Sequence, residues 1–139
     1  MGLSPSLLKG IEELGFENPT PIQAEIIPLI FSTDNDIVGL AQTGTGKTAA
    51  FGLPIIEQIN IEDKSAQALI LAPTRELCMQ ISKDLQNFAK HYKGLNVVPV
   101  YGGASIDIQI RALKRGAQII TATPGRMLDL IKRKPANIS

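Results

Sequence analysis

Residues 41–48 read Ala41-Gln42-Thr43-Gly44-Thr45-Gly46-Lys47-Thr48. They follow the apolar run Ile37-Val38-Gly39-Leu40 and lead into a segment compatible with a helix. Strand, glycine-rich turn, Lys-Thr and helix, in that order, make a phosphate-binding P-loop. Glycine lets the backbone wrap closely around an anion with its N–H groups turned inward. On this reading Lys47 reaches the β- and γ-phosphates and the Thr48 hydroxyl ligates Mg²⁺. The strict pattern opens on Gly where this chain has Ala41, a small residue the turn should tolerate. The bland alternative is a glycine-rich surface turn, which leaves the flanking strand and helix patterns unexplained.

Outward from this turn, apolar runs suit four strands, at 36–40, 67–72, 96–101 and 118–122. Helical patterns alternate with them. Ile22, Ile26, Leu29 and Ile30 share one face, with Pro28 expected to bend it. Leu77, Ile81, Leu85 and Phe88 form a longer stripe, and Ile106, Ile110 and Leu113 another, with Gly116 where a helix C-terminus favours it. Buried strands alternating with amphipathic helices predict an α/β fold with an open, mostly parallel sheet and flanking helices. Ligands of such sheets bind at the carboxyl ends of the strands. The P-loop and the loops at 73–75, 101–103 and 123–126 are therefore expected on one rim.

At 139 residues the chain is one domain at most, and its 44% hydrophobic and 19% charged residues are an ordinary globular balance. A net charge of +1 excludes a bulk basic field for nucleic acid, so any such binding must come from a few placed groups. The single cysteine, Cys78, reads as a packed thiol in a reducing, cytoplasmic setting. No apolar run approaches the roughly 20 residues of a membrane span, no signal peptide is visible, and no membrane partner is expected. Residues 1–6 do fit the loose myristoylation pattern.

Three further clusters carry possible chemistry. In Gly15-Phe16-Glu17-Asn18-Pro19-Thr20-Pro21-Ile22-Gln23, Thr20 reads as an N-cap, Pro21 as the first helical residue and Gln23 as the third position of a capping box. Alternatively the Gln23 amide reads the N6/N7 edge of adenine while Phe16 stacks on the base. In Pro73-Thr74-Arg75-Glu76-Leu77, Thr74 caps the next helix and Arg75 sits in its first turn; Thr123-Pro124-Gly125-Arg126 repeats this. A cation there opposes the helix dipole, which makes sense if a phosphate bridges the arginine and the free N–H groups. The plain alternative is a solvated arginine. Gly102-Gly103 is either a simple turn or a place where the main chain approaches a nucleic-acid backbone. His91 reads as part of a solvated helix end.

A P-loop NTPase also needs an acidic residue at the end of a neighbouring strand to hold Mg²⁺. None of the four predicted strands ends that way, and the chain looks cut before its next strand. The expectation is ATP binding with little or no hydrolysis.

Together these segments resemble the amino-terminal part of a DEAD-box ATP-dependent RNA helicase. Residues 15–23 resemble the Q motif and 41–48 motif I, including its Ala. Residues 73–77 resemble motif Ia (with Cys78 where Ala is usual), Gly102-Gly103 the GG motif, and 123–126 motif Ib. The resemblance implies a first RecA-like domain spanning residues 1–139. In it Phe16, Gln23 and residues 41–48 would bind ATP with Mg²⁺ on Thr48. Pro73, Thr74, Arg75, Gly102, Gly103, Thr123, Pro124, Gly125 and Arg126 would hold the sugar-phosphate backbone of one RNA strand without reading sequence. It also implies a partner second RecA-like domain, which this sequence lacks, as it lacks the Asp-Glu-Ala-Asp and Ser-Ala-Thr motifs. An open sheet edge would allow pairing with another copy. Two other readings stay open: a P-loop enzyme of another kind, such as a DNA helicase or nucleotide kinase, and a non-enzymatic RNA-binding or docking module.

Overall fold

Short apolar segments flanked by glycine and polar residues become three strands in the computed structural model, which describes residues 20–32 and 47–133 together with Pro5, Lys9 and Glu12. The expected strand at 36–40, Phe16 and the glycine turn at 41–46 lie outside the described residues. The elements run α1 (Pro21–Ser32), α2 (Lys47–Gln58), β1 (Ala68–Leu71), α3 (Arg75–Phe88), β2 (Val97–Val100), α4 (Ile106–Lys114), β3 (Ile119–Ala122) and α5 (Pro124–Arg133).

The chain divides into two units. In the first, residues 1–58 and 87–92, α1 packs on α2. Ile27, Ala49, Ala50, Leu53 and Ile56 are buried there, and the Tyr92 hydroxyl donates to Glu57 Oε2 at 3.0 Å. Leu29 does not join the expected apolar face: it is 46% exposed, while Gln23 and Ile27, four residues apart, take the inward positions. Reciprocal bonds between Thr20 and Gln23 give that inward glutamine a partner at the helix start.

The second unit, residues 59–86 and 93–139, holds a parallel sheet in the order β1-β3-β2. The last strand in sequence is therefore the middle one. It is buried along its whole length, as a two-sided strand of Ile119, Ile120, Thr121 and Ala122 should be. β2 contains Pro99, which lacks a ladder donor and suits an outer strand. β1 alternates, with Leu69 and Leu71 exposed. Beneath β3, Val100, Leu113, Ala117, Ile120, Ala122, Met127 and Leu130 form one cluster that joins the sheet to α4 and α5.

The stripe of α3 differs from expectation by one position. Leu77 is 43% exposed and Cys78 is fully buried in its place, with Ile81 and Leu85. One residue is a 100° turn of the helix, so placing Cys78 inward necessarily swings Leu77 out. Gly116 ends α4 at φ 110°, its N–H bonded to the Leu113 carbonyl, as the sequence predicts. At the amino-terminal end of the sheet, buried Gln118 bridges the Asn96 N–H (2.8 Å) and the carbonyls of Gly94 (2.9 Å) and Ile61 (3.1 Å).

Candidate nucleic-acid interface

Register levels the carboxyl ends of the strands. Leu71, Ala122 and Val100 are opposite one another across the sheet. The Ala72 N–H continues the ladder to Ala122 O, and the Thr123 N–H continues it to Val100 O. The loops carrying residues 73–75, 101–104 and 123–126 therefore leave the sheet side by side.

Each loop is shaped by its own chemistry. Thr74 accepts the Leu77 N–H on its hydroxyl at 3.2 Å and the Cys78 N–H on its carbonyl, so α3 starts at Arg75. Pro124 opens α5, and the Thr123 carbonyl receives the Met127 N–H, placing Arg126 in the first turn. Gly103 takes φ 85° in the turn that follows β2, a conformation that favours glycine.

Both arginines then meet that turn. The Arg75 guanidinium lies 4.9 Å from the centre of the Tyr101 ring, a cation–π distance. A Cβ on Gly103 would stand 3.2 Å from Arg75 Nη1, while one on Gly102 would meet nothing within 4 Å. Arg126 donates from Nη1 to Ala104 O at 3.1 Å and to Gln109 Oε1 at 2.9 Å. Its Nε is buried and finds no acceptor among the described residues. Arg126 is thus half-buried and held, not a solvated surface arginine. Pro73, Thr74, Arg75, Gly102, Gly103, Pro124 and Gly125 are all exposed, so the rim offers one exposed cation, one half-buried cation and two patches of bare backbone.

Two residues the motifs did not point to belong here. Tyr101 orients Arg75, and Gln109 holds Arg126. Gln109 leaves a trace in the sequence: it is a polar residue three after Ile106 and four before Leu113, on the apolar stripe of α4.

In the first unit, α2 opens at Lys47, where the P-loop pattern requires its helix to begin, and Thr48 is half-buried in the first turn. Thr20 and Gln23 form a capping box: Thr20 N–H to Gln23 Oε1 at 3.1 Å, and Gln23 N–H to Thr20 Oγ1 at 3.4 Å. The structural alternative for Gln23 is therefore real geometry.

A family model described as DEAD/DEAH box helicase matches residues 20–139. The chain is 48% identical over 139 residues to the ATP-dependent RNA helicase DeaD of Escherichia coli, covering 100% of this chain and 22% of that protein. It is 51% identical over 133 residues to the DEAD-box ATP-dependent RNA helicase CshA of Geobacillus kaustophilus, covering 96% of this chain and 28% of the relative. The chain thus spans about a quarter of the length of these relatives. Among solved structures, a DEAD box protein from Methanococcus jannaschii superposes with TM-score 0.91 at 43% identity, over 99% of this chain and 37% of that one. The RNA-helicase Prp28 from Chaetomium thermophilum, bound to ADP, gives TM-score 0.83 at 45% identity, over 96% of this chain and 33% of that one.

Proposed function

The chain belongs to the DEAD/DEAH box helicase family, and from that premise we propose that it contributes the ATP- and RNA-binding surface of a first RecA-like domain in an ATP-dependent RNA helicase. The observation that carries the proposal is the meeting of Arg75 and Arg126 at the turn that holds Gly102 and Gly103. Two cations at helix N-termini beside exposed backbone suit a chain of phosphates and riboses rather than base edges. RNA binding is accordingly sequence-independent, weak and salt-sensitive, since few phosphates are engaged.

The residues present fit a magnesium nucleotide. A helix that starts at Lys47 directs its first N–H groups toward an anion, and the Thr48 hydroxyl is a hard oxygen donor of the kind Mg²⁺ takes. When bound, the nucleotide supplies a transferable phosphoryl group. The chain's own part is to bind and orient it: Lys47 neutralises phosphate charge, residues 41–46 supply backbone N–H groups, and Gln23 with Phe16 selects adenine. The capping box is compatible with that selection, because it fixes the plane in which the Gln23 amide is held.

Nucleotide titration of the chain and its Lys47→Ala and Gln23→Ala variants tests this. We expect ATP and ADP to bind in preference to GTP and GDP, Lys47→Ala to lose affinity for all four, and Gln23→Ala to lose the base preference. Indifference of nucleotide binding to Lys47→Ala refutes the P-loop assignment; an unchanged base preference in Gln23→Ala refutes the adenine role.

A further inference from the structure

We infer that Gln109 is a positioning residue for the nucleic-acid backbone, acting through Arg126 and the turn at 101–104. The inference rests on the RNA-binding proposal above. Gln109 lies on α4 and is 6% exposed, too buried to touch a ligand itself. Its amide nevertheless makes two bonds to the rim. Nε2 donates to Tyr101 O at 3.1 Å, where the turn begins. Oε1 accepts from Arg126 Nη1 at 2.9 Å, and the same Nη1 donates to Ala104 O, where the turn ends. Turn, amide and guanidinium thus close a ring.

That ring has consequences for both cations. Arg126 spends one nitrogen on protein acceptors and leaves its Nε buried without an acceptor among the described residues. An orphaned donor is unfavourable, so the placement is held against a local cost. Tyr101, tethered by its carbonyl, carries the ring over which Arg75 is poised. A neutral amide donates to the carbonyl and accepts from the guanidinium at once. A carboxylate would repel the Tyr101 carbonyl and neutralise Arg126; an apolar side chain would release both.

The test uses the full-length protein and labelled single-stranded oligouridylate, read by fluorescence anisotropy across a salt series. Gln109→Met should weaken binding roughly tenfold, since a charged hydrogen bond to phosphate is compromised rather than deleted. The slope of log affinity against log salt should fall by about one. Gln109→Met placed on Arg126→Ala should cost less than it does in the parent, because only its path through Tyr101 and Arg75 is left. A merely structural role predicts instead that the two losses add and that the salt slope stays fixed. Parent-like binding by Gln109→Met, or full additivity, overturns the inference while leaving the RNA-binding proposal standing. Parent-like binding by Arg126→Ala overturns both. Should Gln109→Met fail to fold, Gln109→Glu keeps the volume and the acceptor for Arg126. It should bind at least roughly tenfold more weakly at neutral pH, and parent-like binding by it overturns the inference.

Discussion

Gly102 and Gly103 are adjacent, yet the structure gives them different surroundings, and alanine at each separates the stability of the turn from the proposed RNA contact. Gly103 sits at φ 85°. A non-glycine residue there costs about 1–2 kcal/mol. The new Cβ would stand 3.2 Å from Arg75 Nη1, the tip of a flexible side chain, so the arginine yields by a few tenths of an ångström. Its contact with the Tyr101 ring, worth about 0.5–1 kcal/mol at an exposed site, loosens as it does. Gly103→Ala should therefore lose about 1–2 kcal/mol of stability, roughly 4–8 °C in melting temperature for a chain of this size. RNA affinity should fall modestly. Gly102 is not at positive φ, is exposed, and leaves open space where a Cβ would go. Gly102→Ala should melt within about 1 °C of the parent or slightly above it, because alanine restricts the unfolded chain. If an RNA backbone packs against that bare position, the same methyl group obstructs it and affinity drops severalfold with stability intact. Differential scanning fluorimetry and anisotropy on both variants decide the matter. A destabilised Gly102→Ala, or a Gly103→Ala that melts like the parent, refutes the backbone argument. Parent-like RNA binding by Gly102→Ala refutes close approach at that residue.

Two other outcomes follow from buried groups. Burial pushes the Cys78 thiol above its ordinary pKa, partly offset by its contacts to Thr121 Oγ1 (3.8 Å) and the Val100 carbonyl (3.9 Å). Iodoacetamide at pH 8 should label it slowly in the native protein and readily in urea; equal rates refute the buried site. Because the folded state holds the proton more tightly, this contribution is present below the unfolded thiol's pKa of about 8.5 and is lost as pH rises past it. Stability should thus fall more steeply between pH 8 and 10 in the parent than in Cys78→Ala, and parallel profiles would contradict the sign. Gln118→Met keeps the volume but strips partners from Asn96 N, Ile61 O and one of the bonds at Gly94 O. Urea unfolding should show a loss of about 2 kcal/mol. Gln80→Met, an exposed α3 position bonded only to Asp84 among the described residues, should stay within about 0.5 kcal/mol; equal effects would mean that the Gln118 bridge contributes nothing.

The helix starts at Arg75 and Pro124, the stop at Gly116 and the three described strands were all legible from residues 67–126, because caps, proline at N1 and apolar runs act within a few residues. The stripe of α3 departs from its sequence periodicity at Leu77 for a related reason. Periodicity finds a face, but which of two neighbouring side chains lies at its centre depends on the sheet beneath it.

The opening of α2 at Lys47 and the repeated Thr-Arg and Thr-Pro-Gly-Arg helix starts were decided by sequence alone. They are short-range arrangements in which residue type dictates backbone and chemistry together. Only the tertiary structure decided that β3 lies between β1 and β2, levelling three strand ends and bringing Arg75 to Tyr101 and Arg126 to Gln109 and Ala104. The bonds of Arg126 span 17 and 22 residues. Over such separations no local propensity acts, and the partner is chosen by strand order and register, which depend on how the whole sheet packs.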